Sequence, residues 1–187
     1  IHILTLKSHD FDKKKDLKFV ESSKEIQMNH KAPIINFYGM GTCGEDLDFS
    51  PMNIAPECIK PFNHYLLCCT EEQLKIINLH TFKTKTKIKI TATQGNRLKK
   101  AIAFTTNIKS NGEYCRYLSG FSSSGKILLF SLLTLKCLSS YNFVPKEDIF
   151  GITTTSMTDD GIGIYQSSCS EITVFSTSSN CTVDQRS

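Results

Sequence analysis

Hydrophobic and polar positions along this chain alternate in short runs, each closed by turn residues, and the pattern predicts a series of β-hairpins. One hairpin leads from Tyr65-Leu66-Leu67-Cys68-Cys69 through Thr70-Glu71-Glu72 into Leu74-Lys75-Ile76-Ile77-Asn78-Leu79. A second leads from Tyr117-Leu118-Ser119-Gly120-Phe121, through residues 122–125, into Ile127-Leu128-Leu129-Phe130-Ser131-Leu132. A third joins Ile162-Gly163-Ile164-Tyr165 to Ile172-Thr173-Val174-Phe175-Ser176 through Ser168-Cys169-Ser170. Ile77, Phe130 and Phe175 fall at equivalent places, 53 and then 45 residues apart. Propeller blades recur at roughly 40–50 residues, with insertions absorbed in loops.

Each hairpin can be extended toward the four strands of a blade. Pro33-Ile34-Ile35-Asn36-Phe37 precedes the first, and residues 83–91 follow it. Lys100-Ala101-Ile102-Ala103-Phe104 and residues 137–143 flank the second. Phe150-Gly151-Ile152-Thr153-Thr154 precedes the third, which has no evident fourth strand after it. Residues 1–6 and the stretch 24–28 read as two outer strands of a preceding blade, joined by the charged loop 10–21. The predicted fold is therefore all-β, a partial WD40-like β-propeller of about three four-stranded blades plus part of a preceding one. Its expected organisation is 1–32 for the truncated blade, 33–92 for a blade with a long insertion at 39–62, 93–144 for the next blade, 145–178 for an incomplete last blade, and 179–187 for a tail. Asn111-Gly112 and Asp160-Gly161 mark tight turns, where glycine supplies a positive φ.

Composition sharpens this picture. The 187 residues include 41 that are β-branched against five alanines, which disfavours a helical bundle. No apolar run approaches the roughly 20 residues that a membrane-spanning helix needs. The net charge is +4, with acidic and basic residues interspersed, so no surface dedicated to nucleic acid is implied. The chain begins Ile1-His2-Ile3 without Met or a secretory leader, and a piece of a longer cytoplasmic protein is expected. In that compartment the eight cysteines would be reduced, and Asn180-Cys181-Thr182 would be a chance glycosylation match.

Three motifs invite chemistry. Gly120-Phe121-Ser122-Ser123-Ser124-Gly125-Lys126 imitates a phosphate-binding loop, but Ile127 stands where a magnesium-holding hydroxyl is required and a strand follows. A hairpin turn is the better reading. Cys68 and Cys69 with His64 suggest metal ligands, yet adjacent strand residues point to opposite faces, so buried thiols are expected. In residues 83–90, Lys83, Lys85, Lys87 and Lys89 alternate with Thr84, Thr86, Ile88 and Ile90, which places the lysines on one strand face. Such lysines guard an outer strand against edge-to-edge pairing. With Arg97, Lys99 and Lys100 they are also the candidate contact for an acidic partner or an anionic membrane surface. No catalytic residue, metal site or cofactor site is assigned.

A family resemblance then emerges from ordered blocks. Lys24-Glu25-Ile26-Gln27 with His30-Lys31-Ala32-Pro33-Ile34, Glu71-Glu72-Gln73-Leu74-Lys75, and Lys87-Ile88-Lys89-Ile90-Thr91-Ala92 with Gly95 and Arg97 resemble the lethal giant larvae family. Lys146-Glu147-Asp148-Ile149-Phe150-Gly151-Ile152, Gly161-Ile162-Gly163-Ile164-Tyr165, Ser170-Glu171 and Phe175-Ser176 continue the series in the same order. Cys169 departs from the proline expected before Ser170-Glu171, and Ser124-Gly125-Lys126 replaces a turn of the Asn-Leu-Gly-Asp type. The family's basic, serine-rich segment, which the polarity kinase phosphorylates, is not recognisable in this sequence.

The resemblance implies the later part of the second of two WD40-like propellers. It also implies a non-catalytic cytoplasmic scaffold at the cell cortex and the cytoplasmic face of the plasma membrane, acting in cell polarity and SNARE-dependent exocytosis. Implied partners are syntaxin-type SNAREs, non-muscle myosin II and the PAR-6–atypical kinase complex. Two alternatives accompany this expectation. One is a tomosyn-like, syntaxin-binding inhibitor of vesicle fusion; the other is a module that binds anionic membrane through its lysines. A chain with open strand edges is further expected to be poorly soluble alone.

Overall fold

The computed structural model describes residues 2–6, 20–26, 28, 31–44, 64–94, 96–107, 114–145 and 151–177. The chain divides into two compact units, Ile1–Lys31 and Ala32–Ser187. In the first unit β1 (His2–Leu6) pairs antiparallel with β2 (Val20–Glu25), His2 opposite Glu25. The second of these strands begins earlier than the sequence pattern places it.

The described residues of the second unit form three antiparallel sheets. β3 (Ile34–Met40), β4 (Tyr65–Thr70), β5 (Gln73–Asn78) and β6 (Thr84–Lys89) lie side by side in chain order. A short helix, α1 (Ile90–Gln94), then leads to β7 (Leu98–Asn107), β8 (Tyr114–Ser122), β9 (Lys126–Ser131) and β10 (Cys137–Asn142), again in chain order. The third sheet has three described strands, β11 (Ser156–Met157), β12 (Ile162–Gln166) and β13 (Ile172–Ser176). Among the described residues no helix is long and apolar enough to cross a membrane. The all-β, propeller-type reading holds: meandering antiparallel sheets with almost no helix.

Alternation explains how the sheets stack. Leu67 and Cys69 of β4, Leu74 and Ile76 of β5, and Ile88 of β6 face one way and meet Ala101, Leu118, Leu128 and Phe130 of the second sheet. The opposite face of that second sheet presents Phe121 and Ile127 to Tyr165 and Phe175 of the third. The middle sheet is thus covered on both faces, as radially stacked blades require. Aromatic edges close the second interface: Phe143 lies 4.6 Å from Phe175 and 4.7 Å from Tyr165, centroid to centroid.

The 53-residue repeat extends to the turns. Asn78 N–H donates to the Lys83 carbonyl and Phe82 N–H to the Asn78 carbonyl; Ser131, Lys136 and Leu135 repeat both bonds. Phe82 and Leu135 share a positive φ, 58° and 57°. The segments read Leu79-His80-Thr81-Phe82-Lys83 and Leu132-Leu133-Thr134-Leu135-Lys136, a Leu-x-Thr-x-Lys signal that the strand pattern alone passes over.

Two predicted strands are corrected. Residue 90 leaves the ladder because β5 begins at Gln73, opposite Lys89, and the chain beyond it is the Glu71–Glu72 turn. Ile90 instead donates to the Glu72 carbonyl at 2.7 Å and starts α1. Residues 151–154 form a 3₁₀ turn rather than a strand. Thr154 and Thr155 hydroxyls bond back to the Gly151 carbonyl, a local alternative that competes with sheet pairing. The phosphate-loop look-alike is a hairpin: β8 ends at Ser122, whose Oγ accepts the Lys126 N–H, and β9 starts there. Asp160-Gly161 makes its turn with Gly161 at φ +86°, whereas Asn111-Gly112 and residues 45–62 of the expected insertion lie outside the described residues.

Candidate interaction surface

Among the described residues the lysine-bearing strand β6 is the outer strand of its sheet, next to β5 alone. Lys85, Lys87 and Lys89 are exposed, as is Lys83 just before the strand. They do not form one unbroken stripe. Ile76 stands opposite Thr86 and Ile77 opposite Thr84, so Lys85 is the extra residue of a bulge. Thr84 is thereby moved to the face of Lys87, and Lys85 sets its ammonium 4.0 Å from the centre of the Tyr65 ring, a cation–π contact. Tyr65 belongs to the side that packs toward the second sheet.

Lys87 stands directly opposite Lys75, which in turn stands opposite Cys68. Two ammonium groups on adjacent strands repel each other, and an anion between them would relieve that repulsion. Lys75 and Tyr65 are participants that the sequence pattern passed over. The alternation of β5 contains the signal for Lys75; nothing local marks Tyr65.

The other three cations are placed differently. Arg97 Nη2 lies 3.0 Å from Glu72 Oε1 and its Nη1 3.7 Å from Glu71 Oε2, while Lys99 Nζ donates to Glu71 Oε1 at 3.1 Å. The two glutamates occupy the β4–β5 turn, which backbone bonds pin in place. Glu71 donates to the Pro33 carbonyl, and the Glu71 and Glu72 carbonyls accept from Leu98 and Ile90. Lys100 Nζ donates to the carbonyls of Thr153, at 3.3 Å, and Thr155. Arg97, Lys99 and Lys100 therefore tie neighbouring sheets together.

Two of the described cysteines, Cys43 and Cys169, are exposed, and two are turned fully inward. Cys68 and Cys69 are both fully buried, on opposite faces of β4. Burial pushes the Cys68 thiol up to about 11, against a lowering by the Lys75 charge, and pushes Cys69 higher still. Burial also raises Cys137. A nucleophilic cysteine needs the reverse shift. Among the described residues, no three His, Cys, Asp or Glu side chains gather as a metal site would require.

Sequence comparison gives this architecture a relationship. No family model matches the chain. It is 30% identical, over 89% of its length, to LLGL scribble cell polarity complex component 2 of Homo sapiens. It is 31% identical over 83% of its length to Lethal(2) giant larvae protein homolog 1 of Mus musculus. To the Lethal(2) giant larvae protein of Drosophila pseudoobscura pseudoobscura it is 28% identical over 80%. The chain spans 15–17% of the length of these relatives. With its stacked antiparallel blades and its ordered sequence blocks, the chain belongs to the lethal giant larvae family.

Proposed function

We propose that this chain is a non-catalytic scaffold segment of a cell-polarity regulator, working through protein–protein contacts at the cytoplasmic cell cortex. The observation that carries the reading is the similarity, over most of the chain, to a protein named as a component of a scribble cell polarity complex. Rigid stacked sheets with exposed edges suit such a role, because they hold loops and edge strands in fixed relation for partners to grip. SNARE-dependent exocytosis follows from the same reading. Its partners are syntaxin-type SNAREs, non-muscle myosin II and the PAR-6–atypical kinase complex. In polarised epithelial cells a fluorescent fusion of the chain is expected at the cortex, and the purified chain is expected to retain at least one of these three partners. A diffuse or nuclear distribution together with retention of none ends the reading.

A second reading has its own observation, the Lys75–Lys87 pair beside exposed Lys83 and Lys89. Here β6 is the contact for an acidic protein segment or an anionic membrane face. Phosphatidylserine vesicles should sediment with the chain, and Lys75→Gln with Lys87→Gln should weaken that binding. Unchanged binding in the double variant removes the β6 site.

A further inference from the structure

The outer strands of the two four-stranded sheets share one register, yet only one of them is charged. In β6 Thr84 stands opposite Ile77 and Thr86 opposite Ile76; 53 residues on, β10 sets Cys137 opposite Phe130 and Ser139 opposite Leu129. Lys85 and Leu138 are therefore the same bulge residue, Lys87 matches Ser140, and Lys89 matches Asn142. All six are exposed. An outer strand of this fold thus keeps its place without lysine, and protection of a sheet edge alone does not account for the charge of β6.

The backbone of β6 is oriented to accept a neighbour. Ile90 N–H donates to the Glu72 carbonyl, and Ile88 and Thr86 stand opposite Leu74 and Ile76. Antiparallel pairs alternate, so residues 86, 88 and 90 turn their backbone groups toward β5, and Lys87 turns its N–H and C=O toward the outer edge. Side chains alternate as well. Ile88 packs toward the second sheet, and Lys87 lies on the other side, opposite Lys75. Glu71 and Glu72, in the turn before β5, are engaged by Arg97 and Lys99.

The distribution of charge selects the occupant. Lys85 holds its ammonium over Tyr65, on the side of the second sheet, whereas Lys87 lies on the opposite side. A flat anionic surface meets one of these sides at a time; an extended segment laid along the edge presents side chains to both. A second copy supplies no match. None of the outer strands β3, β6, β7, β10, β11 and β13 contains Asp or Glu, and β6 against β6 would oppose lysine to lysine.

We propose that the β6 edge is a strand-addition site for one extended acidic segment of a partner protein. That segment carries Asp or Glu at alternate positions on the Lys87 side and β-branched residues on the side of Ile88. The lysines reject basic strands and a second β6 while pairing with carboxylates. This rests on the reading of β6 as an anion contact and fixes both the partner and the mode of contact.

A labelled peptide, Thr-Glu-Val-Glu-Val-Glu-Val-Thr with blocked ends, tests it against the full chain by fluorescence anisotropy and amide exchange. Saturable binding is expected, with exchange at the Lys87 amide slowed about tenfold or more by the added strand. The shuffled peptide Thr-Glu-Glu-Glu-Val-Val-Val-Thr, equal in charge, should bind about tenfold more weakly, because its carboxylates do not share a face. Lys87→Gln should weaken binding about fivefold. Lys87→Pro, tolerated where an edge N–H points outward, should weaken it about tenfold further with the melting midpoint kept. Four results overturn the proposal: no saturable binding, equal binding of the shuffled peptide, equal binding by Lys87→Pro and Lys87→Gln, or a Lys87 amide that the peptide leaves unslowed. If phosphatidylserine vesicles bind where the peptide does not, strand addition falls and the anion contact stands; if neither binds, both fall.

Discussion

Tyr38 shows how one side chain joins two sheets. Its hydroxyl donates to the Ala101 carbonyl at 2.8 Å and accepts from Asn36 Nδ2 at 2.7 Å, so β3 is bolted to β7. Burial is the main cause that pushes this phenol up from 10.0 to about 12. A folded-state pKa above the unfolded one means that the folded chain keeps a proton the unfolded chain would lose. The stabilisation is complete below about pH 10 and is lost as pH rises through about 12. Tyr38→Phe should cost about 1–2 kcal/mol near neutrality, because Ala101 and Asn36 lose a partner. It should also flatten the alkaline decline, and urea unfolding on both sides of the window would reveal both effects. A variant that declines as steeply as the parent would assign the alkaline loss to other groups.

Elements here are governed by their ends. The β8–β9 turn depends on Gly125, at φ +79°, whose carbonyl accepts from both Phe143 and Val144. A Cβ at this position would come within 2.2 Å of the Val144 carbonyl oxygen. Gly125→Ala therefore combines left-handed backbone strain with a clash against main chain, and about 2 kcal/mol or more of stability should be lost. Thermal melting of the variant should fall by several degrees; an unchanged midpoint would mean that this turn relaxes without cost. The equivalent turns at 79–83 and 132–136 tolerate positive φ at Phe82 and Leu135, and Leu135 is fully buried there. Packing holds a conformation that local preference alone would avoid.

In the unit formed by residues 32–187 the two cores share the middle sheet, so damage to one interface reaches the other. Phe121 is fully buried, with Phe143 and Phe175 at 5.7 and 6.2 Å. Phe121→Ala should destabilise this unit by about 3–5 kcal/mol, as large-to-small core changes do. The third sheet has one face buried and the other lined by exposed Ile162, Ile164, Ile172 and Val174. Amides of β12 and β13 should consequently lose exchange protection before those of β8 and β9, whose sheet is covered on both sides. Equal protection across the three sheets would contradict this ordering.

Strand alternation, turn chemistry and the repeat spacing were legible in the sequence because they are local: hydrophobic side chains two apart share a face whatever lies beyond. That suffices for the hairpins around Thr70–Glu72 and Ser122–Gly125 and for the buried pair Cys68 and Cys69, whereas the family rests on ordered blocks of sequence resemblance. The bulge at Lys85, the shift of the first strand of the third sheet from 150–154 to Ser156–Met157, and the capture of Arg97 and Lys99 by Glu71 and Glu72 were decided only by tertiary structure. Each depends on a neighbour distant in sequence, a ladder that slips by one residue or a carboxylate in another sheet's turn.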